Sequence, residues 1–223
     1  MAISPDVTDN PYWDALQPHV RSPEFEHEPP YVERWSSDGS EVYLDRRPFT
    51  REYSWTITDP DSVGFVVGYA EAGLVDPMAG TGYWAYVLGQ EGVDVVCYDE
   101  SPGEDNPWHI DKLWVPVTRM DGAEAVAKHP DRTLLLSWPP YNEPDGDEVL
   151  AAYAGDRVIF MGEGEGGATG DDDLFTRLDA EWQWCEEHMP IRWYGLYDRI
   201  AVYERRPAKQ RRRRKRALVG SSA

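Results

Sequence analysis

Lysine is nearly missing from this 223-residue chain, with 4 against 18 arginines, and cysteine occurs only twice. Cys97 and Cys185 lie far apart and lack CxxC spacing, which excludes a disulfide scaffold and a cysteine zinc cluster. They read as reduced thiols of a cytoplasmic protein. No run of about 18 apolar residues occurs, so no membrane-spanning helix is expected. The start, Met1-Ala2-Ile3-Ser4-Pro5-Asp6, lacks the basic end and apolar centre of a secretory signal. Histidine is sparse as well. His19, His27, His109, His129 and His188 show no ligand spacing, so no metal site is expected.

Positive charge is scarce everywhere except near the end. The chain carries 22 basic and 41 acidic residues, a net charge of −19. Seven of the basic residues (Lys209, Arg211, Arg212, Arg213, Arg214, Lys215 and Arg216) form one run, and no acidic residue follows residue 207. Residues 1–207 therefore hold 15 basic against 41 acidic side chains, or −26. Such a body repels a phosphate backbone unless the tail reverses the field. The tail either binds nucleic acid or folds back on the acidic body.

At 41% hydrophobic and 28% charged, the chain fits one globular domain with appendages. Residues 1–60 are rich in proline, aromatic and acidic residues and show no sustained helical period, so they read as an arm. Its stretch Pro23-Glu24-Phe25-Glu26-His27-Glu28-Pro29-Pro30 reads as extended, with Tyr12, Trp13, Tyr31, Trp35 and Tyr43 pinning parts of it to the body. Residues 61–207 alternate apolar strands with short helices, and 208–223 are a basic tail.

The alternation predicts helices over 61–72, 83–90, 122–128, 149–153 and 171–182. Strands are expected over 73–76, 93–98, 113–120, 133–138 and 157–161, the third at an edge because of Pro116. A hairpin is expected over 184–206, around Tyr194-Gly195-Leu196-Tyr197-Asp198. Apolar strands alternating with helices imply an α/β sandwich whose sheet is covered on both faces.

The strongest site signal is Leu74-Val75-Asp76-Pro77-Met78-Ala79-Gly80-Thr81-Gly82-Tyr83-Trp84. A strand delivers an acid, then a Gly-x-Gly turn, then a helix. Glycine permits backbone conformations and close ligand approach that a side chain would block. Asp99 ends the next strand, 17 residues after Gly82, where a carboxylate can accept both hydroxyls of a ribose.

These residues resemble class I S-adenosylmethionine-dependent methyltransferases, whose first motif, acid-x-x-x-Gly-x-Gly, is matched by Asp76, Gly80 and Gly82. The resemblance covers about residues 60–206. It implies a Rossmann-like methyltransferase fold with a seven-stranded, mostly parallel sheet and a C-terminal antiparallel hairpin. It further implies S-adenosyl-L-methionine as cofactor: the glycine loop cradles the methionine part, Asp99 holds the ribose, and Asp121 faces the adenine amino group. A nicotinamide dinucleotide fold is the rival, because Gly80-Thr81-Gly82-Tyr83-Trp84-Ala85 also satisfies GxGxx(G/A). Asp76, four residues before the first glycine, favours the methyltransferase.

A second signal, Ser137-Trp138-Pro139-Pro140-Tyr141, ends the fourth strand. It is similar to the (Asp/Asn/Ser)-Pro-Pro-aromatic element of methyltransferases acting on planar amino groups. There the polar side chain and a backbone carbonyl accept from the amine while the aromatic residue stacks on the base. Trp138 occupies the polar position, and an indole can only donate. Ser137 falls one residue early, on the opposite strand face by alternation. A flat acceptor stacked between Trp138 and Tyr141 is the expectation.

Tyr53-Ser54-Trp55 forms either a lid on the methionine pocket or part of a packed aromatic arm. Gly162–Gly170 is either an active-site flap with Glu163 as contact or base, or a flexible linker. His109 sits near the cofactor or in solvent. The functional expectation is methyl transfer to a nucleic-acid base amino group. The alternatives are a small-molecule methyltransferase and an acidic, non-catalytic binding protein on the same scaffold.

Overall fold

A computed structural model describes residues 9–23, 28–32, 44–108, 110, 112–211 and 214. Helix starts are written in the sequence as acceptor side chains that satisfy otherwise orphaned backbone N–H groups. Asn10 accepts from Trp13 N ahead of α1 (Pro11–Leu16), and Asp45 accepts from Arg47 N ahead of α2 (Arg46–Glu52). Asp59 does the same for α3 (Pro60–Val67). These caps explain a difference from the sequence reading. The N-terminal segment, expected to lack helices, contains two short ones that no hydrophobic period announces. Tyr12 and Leu16 are fully buried, so tertiary packing, not propensity, holds α1.

Two short strands, β1 (Val20–Arg21) and β2 (Tyr31–Val32), precede the main alternation. It runs β3 (Leu74–Asp76), α4 (Tyr83–Gln90), β4 (Val95–Asp99), β5 (Thr118–Arg119), α5 (Gly122–Ala127) and β6 (Thr133–Ser137). It continues through α6 (Asp145–Ala152), β7 (Arg157–Gly162), α7 (Asp172–Glu181), β8 (Trp182–His188), β9 (Arg192–Trp193) and β10 (Arg199–Arg205). The main sheet has seven strands in the order β5-β4-β3-β6-β7-β10-β8. Strands β5 to β7 pair in parallel, while β10 is antiparallel to both β7 and β8. This is the expected seven-stranded, mostly parallel α/β sandwich with its C-terminal antiparallel hairpin.

Strand alternation sorts the core into two layers. Leu74, Leu135, Ile159 and Met161 face α3, α4 and the N-terminal Tyr12 and Leu16. Val75, Leu134, Leu136, Val158 and Phe160 face the side of α5, α6 and α7, where Val126, Val149, Leu150, Leu174 and Leu178 pack. Each fully buried aliphatic side chain contributes about 1.5–3 kcal/mol relative to exposure.

Four boundaries moved for physical reasons. The helix expected over 149–153 starts at Asp145, with Asp145, Asp147 and Glu148 in its first turn, where acids suit the helix dipole. The first helix of the alternation stops at Val67, where Gly68 caps it. The third strand keeps only Thr118–Arg119; Trp114 instead leaves the sheet, its N–H donating to Thr81 O at 2.8 Å. The hairpin turn is not tight. Residues 189–198 supply β9 to a separate three-stranded sheet with β1 and β2. Among the described residues no helix is long and apolar enough to cross a membrane.

Candidate active site

Strand order reverses between β3 and β6, and ligands of such sheets bind at the carboxyl ends of the strands at that switch. There the chain forms a cavity of about 200 Å³. Asp76, Asp99 and Ser137, the last residues of β3, β4 and β6, all line it, as do Gly80, Asp121, Trp138 and Pro140. Residues spread over 65 positions of sequence therefore meet at one edge.

The glycine loop is held from both sides. Gly80 and Gly82 adopt φ of 55° and 72°, a left-handed region costly for other residues. A Cβ on Gly82 would lie 2.6 Å from Val115 Cγ2, whereas one on Gly80 would meet only Ile110 Cδ1, at 3.7 Å. Gly82 is thus required by packing, and Gly80 by its backbone at the cavity wall. The Gly80 N–H donates to Asp99 Oδ2 at 3.0 Å. Asp99 Oδ1 accepts from Ser101 N at 2.9 Å and from Asn106 Nδ2 at 3.3 Å. A carboxylate offers about four acceptor positions. Asp99 retains one, on Oδ2, and displacement of Asn106 would free another.

Asp76 is 2% exposed, and its Oδ1 accepts from Met78 N at 3.2 Å. Its other oxygen has no hydrogen-bond partner among the described residues. Burial, with the neighbouring Asp99 charge adding to it, pushes its carboxyl up to about 7. Asp121 is the N-cap of α5; Oδ1 accepts from Glu124 N at 2.8 Å, which leaves Oδ2 for a ligand.

The arm contributes more than the sequence suggested. Tyr53, Ser54 and Trp55 all line the cavity. Thr81 Oγ1 donates to the Tyr53 carbonyl, and Trp114 Nε1 donates to Glu52 O at 2.6 Å. The end of α2 is therefore tied to the glycine loop. Tyr53 stacks on Tyr12 with centroids 5.0 Å apart, so it belongs to the packed aromatic arm while also walling the cavity.

The Pro-Pro-Tyr element departs from expectation. Trp138 takes φ 48°, which breaks strand alternation and brings both Ser137 and Trp138 to the cavity, although alternation put them on opposite faces. The indole N–H of Trp138 donates to Thr56 Oγ1 at 2.9 Å and Asp198 Oδ2 at 3.3 Å. Its ring stacks on Trp55 at 5.0 Å and 23°. Tyr141 is 66% exposed and does not line the cavity. The expected sandwich of a ligand between Trp138 and Tyr141 does not form, because Trp55 occupies the stacking position. Pro139 is buried, and its carbonyl accepts from Gly170 N at 2.9 Å. Trp138 supplies no polar acceptor at its own position, the neutral Ser137 hydroxyl is the polar side chain this element brings to the cavity, and the Pro139 carbonyl is already engaged.

No local spacing in the sequence links Asp198, Thr56 and Trp55, which lie 143 positions apart at the extremes. Asp198 is 2% exposed, and its Oδ1 has no hydrogen-bond partner among the described residues. Burial raises its carboxyl to about 7, and the Glu163 charge adds to this. Hydrogen bonds from Thr56 and Trp138 and the Arg46 charge work against it. The Arg46 guanidinium lies 4.8 Å from the Trp55 ring and 5.5 Å from that of Trp138.

Glu163 is not at the cavity. Its Oε2 accepts from Ala168 N at 2.8 Å and its Oε1 from Tyr197 N at 2.7 Å, so it braces its own loop against the 189–198 connection. This corrects the reading of a flap with Glu163 as base. His109 lies outside the described residues. Of the basic run, Arg214 ion-pairs with Asp179 at 2.8 Å, while Arg212, Arg213, Lys215 and Arg216 lie outside them. No group of three or more potential metal ligands occurs among the described residues.

No protein-family model matches the chain, and no curated protein matches it. Among solved structures it is similar to magnesium protoporphyrin IX methyltransferase from Synechocystis PCC 6803 with bound SAM. The two share 17% identity over 66% of this chain and 79% of that one, with a TM-score of 0.47. It is also similar to 1,6-didemethyltoxoflavin-N1-methyltransferase from Burkholderia thailandensis, at 17% identity over 67% and 80% of the two chains and a TM-score of 0.45. An rRNA methylase from Streptococcus thermophilus shows 14% identity over 66% and 95%, with a TM-score of 0.42. Likenesses this distant leave the assignment to the geometry of the site.

Proposed function

We propose that this chain is an S-adenosyl-L-methionine-dependent methyltransferase. The observation that carries the reading is the placement of Asp76, Gly80 and Asp99 at neighbouring strand ends around one cavity at the sheet's switch point. The residues fit the cofactor: a backbone turn without Cβ at Gly80, a carboxylate with a remaining acceptor position at Asp99, and a buried, half-used carboxylate at Asp76. The glycine loop holds the methionine end, Asp99 accepts from the ribose, and Asp121 Oδ2 accepts from the adenine amino group. When bound, the cofactor supplies an electrophilic methyl on a sulfonium. Trp55 and Trp138 exclude water from the acceptor side.

Calorimetry with S-adenosylmethionine, S-adenosylhomocysteine and NAD tests this. Binding of the first two, abolished by Asp99→Ala, is expected. Binding of NAD alone would move the chain to hydride transfer. No nucleoside binding at all would favour an acidic binding protein.

Two acceptor classes are open to such an enzyme. A nucleic-acid base is supported by the Lys209–Arg216 run; a small molecule is supported by the acidic cavity and by the pairing of Arg214 with Asp179. We favour the small molecule. Methyl-labelled cofactor, incubated with DNA, RNA and small-molecule acceptors, separates the two.

A further inference from the structure

Among the described residues, those lining the cavity include six carboxylates, Asp76, Asp99, Glu100, Asp121, Asp145 and Glu148, and no lysine, arginine or histidine. Three of the six are assigned above to the cofactor. Asp145 and Glu148 stand in the first turn of α6, three residues apart and so on one helix face. Neither side chain makes a hydrogen bond or ion pair with the described residues. Asp147, between them, behaves differently: both its oxygens bind Arg177, at 2.5 and 2.8 Å. The helix turns a paired acid toward the body and two uncompensated acids toward the cavity. The buried Asp76 adds an oxygen without a partner at the same cavity.

The same cavity carries an exposed aromatic plane. Trp108 is 52% exposed, lines the cavity and stands edge-on to Trp55, with centroids 5.5 Å apart at 87°. Trp138, by contrast, already stacks on Trp55. Among the described aromatic residues that line the cavity, Trp108 is the exposed one.

Building on the proposed methyltransferase reading, we propose that the acceptor is an amine-bearing ring without phosphate or carboxylate, stacked on Trp108 with its amine toward Asp145 and Glu148. An ammonium group is attracted both by the carboxylates and by the face of an indole, whereas an anionic group is repelled by the former. The carboxylates also supply an ionised proton acceptor, which the neutral side chains of Ser137–Tyr141 do not. An ammonium group must lose a proton to a base before its nitrogen lone pair can form the new N–CH₃ bond while the S–CH₃ bond breaks and its electrons pass to sulfur. The amine proton passes to a carboxylate of the helix turn and thence to solvent.

The test uses full-length protein saturated with S-adenosylhomocysteine and three matched probes, tryptamine, indole and indole-3-acetate. Tryptamine is expected to bind at least about tenfold more tightly than indole-3-acetate at low ionic strength, the gap narrowing with salt. The double variant Asp145→Asn/Glu148→Gln should close that gap, and Trp108→Ala should weaken tryptamine and indole together. Equal or tighter binding of indole-3-acetate, no binding of tryptamine, or an undiminished gap in a natively folded double variant would overturn the proposal. So would methyl label appearing in RNA or DNA in preference to amines. Titration of S-adenosylhomocysteine on the same samples reports separately on the cofactor: its failure to bind would sink the methyltransferase reading itself.

Discussion

The indole nitrogen of Trp138 lies 3.3 Å from Oδ2 of Asp198, a residue 60 positions later in the chain. This hydrogen bond turns the only polar atom of the Trp138 side chain toward a buried carboxylate and leaves its carbon rings to the cavity. It also holds a tryptophan in a left-handed backbone conformation, φ 48°, which costs on the order of 1 kcal/mol for a residue other than glycine.

The raised ionisation of Asp198 has a consequence for stability. Its carboxyl ionises near 7 in the folded protein against 3.8 for an ordinary aspartate, so the folded state retains a proton that the unfolded state loses. The contribution of this group is fully present below about pH 3.8 and is lost as pH rises to about 7. Asp198→Asn keeps an acceptor for Thr56 and Trp138 without the charge. Denaturant titrations should show it more stable than the parent by about 1–3 kcal/mol at pH 8 and near parity at pH 4. An unchanged pH slope would refute the assignment.

Gly82→Ala places a methyl 2.6 Å from Val115 Cγ2 at φ 72°. A loss of about 1–3 kcal/mol in unfolding free energy is expected. Calorimetry should show S-adenosylhomocysteine binding weakened at least tenfold, because the turn cannot close. Near-native affinity would show that the loop does not shape the cofactor site.

Glu163→Ala removes the acceptor of two loop N–H groups, Ala168 and Tyr197. The melting temperature should fall by an amount equivalent to about 1–3 kcal/mol. Methyl transfer per folded molecule should persist, since this carboxylate does not line the cavity. Loss of the chemical step in a folded variant would restore it as a base.

Truncation after Pro207 removes the Arg214–Asp179 pair, whose partners are half exposed. Stability should change by less than about 1 kcal/mol. Methylation of amine acceptors should be indifferent to the truncation. A tail-dependent, steeply salt-dependent transfer to nucleic acid would instead favour the polyanion reading.

The sequence alone determined the alternation of strands and helices, the boundaries of Tyr83–Gln90, and the strand-end acids Asp76 and Asp99. These are local properties: apolar period, capping side chains and glycine turns act within a few residues of themselves. The helices of the N-terminal segment were invisible because six- and seven-residue helices carry too few turns to show a period. Only tertiary structure decided what faces the cavity beside the cofactor residues. Trp55 reached Trp138, and Asp198 reached both Thr56 and Trp138, by contacts across much of the chain. The positive φ at Trp138 reversed the alternation rule that had set Ser137 apart, and Tyr141 was carried out into solvent. Glu163 was drawn to backbone N–H groups of two loops rather than to the site. Side-chain partners across a fold depend on where the sheet order brings strand ends together, and no spacing within one segment encodes that.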